Sequence, residues 1–230
     1  MDLIAQYRKK FSYDSPLQHL DYPLYSTHLV PYLKNNHIVT QDTHLESIKV
    51  LLFGVTLYHT IFLFGGIILR LTNNFQNKLK KKKAQTDFCI RCVSFIQSIL
   101  IVTISIPCLQ NEHLAKDHIY ATTPYSSFVA AMALSYFIWD TLVSLFYVGY
   151  FGVGFLVHGI VSTIVFTIGV FHPYIHYYCP IFLLFEISTP FLNVRWIGLK
   201  FDVLSELFKL VNNAILMLIF FFVRICWGWL

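Results

Sequence analysis

Between His118 and Val194 the chain carries only two Asp, Glu, Lys or Arg residues, Asp140 and Glu186. Soluble domains draw about a quarter of their residues from those four types. A stretch this poor in charge matches a bilayer, where about 20 apolar residues in a helix cross roughly 30 Å of hydrocarbon. The helix is also the form that satisfies every backbone amide without water. The whole chain agrees: of 230 residues, 56% are hydrophobic and 13% charged, with 22 Phe and 14 Tyr. Such a composition excludes a disordered or fibrous chain and most soluble folds.

Apolar runs fall at about 48–70, 88–109, 124–148, 152–172, from Tyr174 through Glu186 to Pro190, and 206–230. They predict an all-α membrane protein, a polytopic bundle of about six transmembrane helices. A seventh is added if 190–200 forms a separate short or re-entrant helix, since Pro190 lacks a backbone donor and favours a bend. The organisation is a polar N-terminal segment (1–47), a first transmembrane helix (48–70), a basic loop (71–87) and a helical bundle (88–230). Residues 1–47 have neither the apolar core of a secretory signal nor the Arg- and Ser-rich look of a transit peptide, so the first span is expected to act as signal anchor. The run that ends at Leu230 has no polar tail, as expected of a helix stopping at the membrane surface or of a shortened chain. Gly149, Gly152, Gly154, Gly159 and Ser162 punctuate the fourth span and read as close helix packing.

The net charge is +5. Much of it lies in Lys78 and Lys80 to Lys83, a run suited to anionic lipid headgroups beside a membrane rather than to nucleic acid. Residues 70–91 also contain Arg70 and Arg91, whereas the 110–122 loop has only Lys116. The N-terminal flank carries Arg8, Lys9, Lys10, Lys34 and Lys49. Positive-inside bias puts the 71–87 loop in the cytosol and the N terminus on the lumenal side. The five Cys residues are too scattered for a disulfide framework, and Cys89 and Cys92 read as two buried thiols on one helix, with no partners for a metal.

Asp140, His158 and Glu186 lie inside apolar spans, where a charge costs several kcal/mol. Taking turns near Tyr150 and Pro173, the 1.5 Å helical rise places all three at similar depths, Asp140 and His158 about 12–15 Å from the first turn. They are expected to meet near mid-bilayer. Two readings stand open: a functional centre (general base, proton relay or headgroup site), or a hydrogen-bonded cluster that ties three helices together. Arg195 with Trp196 reads as an interfacial anchor that reaches Glu186 only if the chain bends at Pro190. Arg224 either snorkels or meets an acid in the bundle, and His59 reads as a packed residue.

The run Phe185-Glu186-Ile187-Ser188-Thr189-Pro190-Phe191-Leu192-Asn193-Val194-Arg195-Trp196 resembles the E-x-S-T-P-F-x-N-x-R-W signature of the TLC-domain family. Ser135 to Asp140 resembles its S-Y-F-x-x-D, Val157 to Ser162 its H-H-x-x-S, Arg91 to Ser94 its R-x-x-S, and Phe222 to Ile225 its F-x-x-R-I. The resemblance covers about 85–230. The family includes ceramide synthases and translocating-chain-associated membrane proteins; other members act in lipid trafficking, cargo export or control of phospholipid composition. The resemblance implies a multi-pass protein of the endoplasmic-reticulum membrane, with six helices around a lipid-accessible cavity. It also implies membrane lipids as partners and leaves a homo- or hetero-oligomer open; no cofactor or metal is expected.

Ceramide synthases use two adjacent His residues to N-acylate a sphingoid base. His158 matches the first, but Gly159 stands at the second. The expected function is therefore lipid homeostasis by binding or regulating lipids, through a polar centre of Asp140, His158, Glu186, Asn193, Arg195 and Arg224, without full ceramide-synthase chemistry. The alternative is an acyl-CoA-dependent N-acyltransferase with His158 as catalytic base, oriented by Asp140 or Glu186. A third reading, from the family alone, is a lipid- or cargo-trafficking or translocon-associated factor.

Overall fold

The computed structural model describes residues 15–17, 22–36, 39, 41–72, 79–172 and 174–226. Arg8, Lys9, Lys10, Lys78, Pro173 and the end of the chain lie outside the described residues. A π-helical turn (Tyr25–Leu29) leads into α1 (Val30–Asn35). Then come α2 (Asp42–Leu71), α3 (Lys82–Leu109), α4 (Glu112–Lys116), α5 (Pro124–Phe146), α6 (Val148–Phe151) and α7 (Val153–Phe171). After α8 (Tyr178–Leu183) a 3₁₀ turn (Leu184–Ser188) leads into α9 (Thr189–Phe201), and α10 (Glu206–Ile219) ends in a π-helical segment (Phe220–Cys226).

Among the described residues six stretches are long and apolar enough to cross a membrane: 42–71, 82–109, 124–146, 153–171, 178–201 and 206–226. The first two begin six residues earlier than the hydropathy suggests, because a helix propagates past the hydrocarbon edge as long as its polar residues sustain the hydrogen-bond ladder. Pro190 does not open a seventh element. It sits in the first turn of α9, where a missing N–H costs least, and the tightened turn at Leu184–Ser188 joins it to α8.

Among the spans α5 is the most buried: 56% of its apolar window is covered, against 33% or less in the others. Its start is written in Thr123-Pro124-Tyr125-Ser126. The Thr123 hydroxyl accepts from the Ser126 N–H at 3.0 Å, and the Ser126 hydroxyl accepts from the Thr123 N–H at 2.9 Å, a reciprocal cap ahead of a proline at the first helical position. Small residues then line the helix, with Ala130, Ala131, Ala133 and Ser135 all buried.

The chain divides into two compact units. One comprises Met1–Thr56 and Ile104–Pro180. In it α7 packs on α5 through the Phe137–Phe166 ring pair, 5.0 Å between centroids, and a Thr141–Thr163 hydroxyl pair at 3.0 Å. Gly54 of α2 faces Ser135 so closely that a Cβ there would stand 2.0 Å from the Ser135 Oγ. The second unit comprises Leu57–Thr103 and Ile181–Leu230. Its core joins Leu69, Leu79, Phe88, Cys89 and Phe201, with Trp196 packed against them. Phe88, Trp196 and Phe201 contact one another in pairs at 5.9 to 6.5 Å, within the range where tilted and edge-on aromatic pairs attract.

Candidate functional site

In the second unit two helices present matching polar faces. On α3, Asp87, Arg91 and Ser94 follow at spacings of four and three, so they share one side of the helix. On α9, Thr189, Asn193 and Trp196 repeat the same spacings. The faces interlock at Asn193, which is 2% exposed. Its side-chain oxygen accepts from Arg91 Nη1 at 3.3 Å, and its amide nitrogen donates to Ser94 Oγ at 3.3 Å. Arg91 Nε donates to Asp87 at 3.0 Å, and the guanidinium carbon lies 4.8 Å from the centre of the Trp196 ring. One cation is thus held by a carboxylate, an amide and an aromatic face inside a membrane span, where a bare charge is costly. Two of its five N–H groups have partners among the described residues, which leaves three open.

It is Arg91, and not the neighbouring Arg195, whose guanidinium lies over the Trp196 ring. Adjacent helical residues point about 100° apart, so with Trp196 packed in the core, Arg195 is exposed. It makes no ion pair among the described residues; with Lys209, Asn212 and Asn213 it lines a cavity of about 10 Å³, room for one water. Glu186, half-buried in the 3₁₀ turn, accepts from the Thr189 hydroxyl at 2.7 Å. Arg224 donates to the Phe185 carbonyl at 3.3 Å and lies over the Phe220 ring at 5.3 Å. Of the alternatives open for Arg195 and Arg224, an ion pair with an acid is formed by neither among the described residues.

In the first unit, Gly159 is buried against α5. A Cβ placed there would stand 2.8 Å from Thr141 Oγ1, 3.2 Å from Thr141 Cα and 3.4 Å from Asp140 Oδ2. His158, one residue earlier, is turned off this contact and exposed, with the edge of Phe137 beside it at 6.5 Å between centroids. Neither imidazole nitrogen has a hydrogen-bond partner among the described residues. The expected Asp140–His158 bond is not formed, because the α7 face turned toward Asp140 is the face of Gly159.

A second histidine went unnoticed in the sequence. His176, 2% exposed, hydrogen bonds to the Gly169 carbonyl through Nε2 at 2.9 Å and to Ser126 Oγ through Nδ1 at 2.8 Å. The carbonyl can only accept, so Nε2 carries the proton and Nδ1 accepts from the hydroxyl. Burial pushes its pKa below the usual histidine value, against a smaller upward pull from the carbonyl. Ser126 is itself locked in the α5 cap and 2% exposed. The pair fastens the segment after α7 to the start of α5 rather than presenting a nucleophile.

A family model for the TLC domain matches residues 87–230. The chain belongs to the TLC-domain family. It is 32% identical over 241 aligned positions to an uncharacterised TLC domain-containing protein of Saccharomyces cerevisiae, covering 90% of this chain and 75% of that one. It is also 32% identical to an uncharacterised TLC domain-containing protein of Schizosaccharomyces pombe, over 80% of this chain and 63% of the relative. The third is topoisomerase I damage affected protein 4 of Saccharomyces cerevisiae, again 32% identical, over 73% of this chain and 64% of the relative. No solved structure matches the chain. Within this TLC domain one hydrogen-bonded group of side chains joins Asp87, Arg91, Ser94 and Asn193. The sequence reading placed Asn193 in its candidate site, quoted Arg91 and Ser94 only within the R-x-x-S resemblance and missed Asp87, although the repeated four-and-three spacing on α3 and α9 joins them.

Proposed function

We propose that this TLC-domain chain acts in membrane lipid homeostasis, binding or regulating lipids in the endoplasmic-reticulum membrane without ceramide-synthase acyl transfer. Its N terminus is lumenal and its 71–87 loop cytosolic in this reading. The observation that carries it is the packing at Gly159. Ceramide-synthase acyl transfer uses two adjacent histidines, and at the second position here even a Cβ would crowd α5, 2.8 Å from Thr141 Oγ1 and 3.2 Å from its Cα. His158 alone also lacks an orienting carboxylate among the described residues, and an unoriented imidazole is a poor general base. The polar groups of the second unit, with Arg91 at their centre, supply the headgroup recognition that a lipid-binding role needs.

The test is deletion of the gene in its source, followed by whole-lipidome profiling and rescue with the native chain or with His158→Ala. Phospholipid composition is expected to drift without accumulation of a sphingoid base, and His158→Ala is expected to rescue. Accumulation of a sphingoid base with loss of ceramide, unrescued by His158→Ala, would establish the acyltransferase instead.

A further inference from the structure

The charge of this chain is unevenly divided. The second unit contains eleven Lys and Arg against four Asp and Glu, while the first contains six against eight. Most of the excess gathers at one end of the second unit. Leu69 near the end of α2, Leu79 just before α3, Phe88 near the start of α3, and Phe201 at the end of α9 share one core. The start of α10 joins them, since a Cβ on Gly198 would meet Leu204 at 3.0 Å and Lys209 at 3.5 Å.

The cations at this end are sorted by their partners. Lys209 is held by Asp202 at 2.6 Å and Glu206 at 2.7 Å, and Arg91 by Asp87. Arg70, Lys80 to Lys83 and Lys200 are all exposed and have no ion-pair partner among the described residues. Lys82 and Lys83 sit in the first turn of α3, which contains no acid. The positive end of the helix dipole repels them there, so local electrostatics alone do not explain their placement. Below this rim, about 13 Å along α3 from Lys82 at 1.5 Å per residue, Arg91 keeps three N–H donors open.

We propose that this end of the second unit binds the headgroup of an anionic phospholipid, with its phosphate on the open donors of Arg91 and the lysine rim around it. The proposal deepens the lipid-binding reading above by naming the lipid class. Every element at this end belongs to an apolar span, so the surface it meets is a bilayer. Clusters of basic residues at the mouths of membrane helices attract anionic headgroups. A soluble polyanion can reach the exposed lysines, but a cation set two turns into a span is within reach of a molecule already in the membrane.

The experiment uses the full chain purified in detergent. Thermal unfolding is followed in mixed micelles containing phosphatidylcholine alone, or with phosphatidylserine or phosphatidylinositol phosphate. At lipid about 100 times its Kd, anionic lipid is expected to raise the midpoint by about 5 °C or more, and phosphatidylcholine by under about 1 °C. Added salt is expected to shrink the rise. Replacing Lys80 to Lys83 with Gln is expected to remove most of it without lowering the midpoint in phosphatidylcholine, since the charges removed are ones the α3 dipole repels. Should that variant change orientation or fail to fold, Lys200→Gln serves with the lysine run intact, and is expected to lower the rise.

An equal rise with phosphatidylcholine overturns the proposal, as does a full rise in both variants. So does the same rise produced by inorganic phosphate or by a short RNA, which would place the specificity elsewhere than in a lipid. A lipidome that drifts on deletion with no response to anionic lipid removes this site and leaves the homeostasis reading standing. A response to anionic lipid with an unchanged lipidome does the reverse.

Discussion

Gly159→Ala tests the packing on which the case against acyl transfer stands. The new Cβ meets the Thr141 Cα at 3.2 Å and its Oγ1 at 2.8 Å. The backbone atom cannot move without shifting α5, the most buried of the six spans. The hydroxyl can move only by giving up its 3.0 Å bond to Thr163. Overpacking of this kind costs about 1–3 kcal/mol, and a lost interhelical bond in a membrane protein adds about 0.6 kcal/mol. Alanine in place of glycine inside a helix returns up to about 1 kcal/mol of propensity. The net cost is about 1–3 kcal/mol, or some 2–10 °C in the midpoint of a chain this long. Thermal unfolding in detergent is the assay, with Gly154→Ala as control because nothing lies within 4 Å of a Cβ there. The control is expected to be neutral or stabilising, and Gly159→His, with far more bulk, is expected not to fold. Combining Gly159→Ala with Thr141→Ala should recover part of the loss. A Gly159→Ala chain that melts with the native protein would refute the reasoning, and the room for a second histidine would have to be granted.

Three further outcomes follow from the geometry. Asn193→Leu removes the acceptor of Arg91 and the donor to Ser94. With both bonds at 3.3 Å the expected cost is about 1–3 kcal/mol; a midpoint within 1 °C of native, by the same assay, would contradict the interlock. Arg195→Gln, one helical step round, is expected to change stability by less than about 0.5 kcal/mol, and a loss as large as that of Arg91→Gln would contradict the assignment of the Trp196 contact to Arg91. The third concerns pH. The folded state holds His176 below the ordinary histidine pKa, so the unfolded chain takes up the proton first and folding loses stability as pH falls through about 6.5. The midpoint is expected to drop between pH 7.5 and 5.5, and His176→Gln to flatten that dependence; an unaltered slope in the variant would assign it to other groups.

The spans were legible because hydropathy depends on composition, and composition survives errors of register. Their ends were less so. The first turns of α2 and α3 are polar, and hydropathy does not report a helix outside the hydrocarbon. Pro190 was read correctly as a break in the ladder, but the outcome, a 3₁₀ joint inside one span, depends on whether the preceding carbonyls find tighter partners, which Leu184–Ser188 does. Depth, counted at 1.5 Å per residue, placed Asp140 and His158 level with each other. It carries no azimuth, and azimuth decided the matter: Gly159 takes the face toward Asp140, so His158 cannot.

The same consideration explains why two short motifs had to be read together. Arg91-x-x-Ser94 on α3 and Asn193-x-x-Trp196 on α9 are each too brief to mean much alone. Each sets a polar and a partner position about 300° apart around its helix, one turn along. Two such pairs brought side by side can satisfy each other, so that the amide of Asn193 spans Arg91 and Ser94 while the ring of Trp196 backs the guanidinium. Neither helix can change its half without leaving the other a buried polar group in a membrane span, which is more costly than never having had one. Arg91 is fixed in place by this arrangement without being saturated by it. A cation so held has donors left for a ligand and loses little freedom in binding one, which is the physical reason to look for the lipid at Arg91 rather than at the better exposed Arg195.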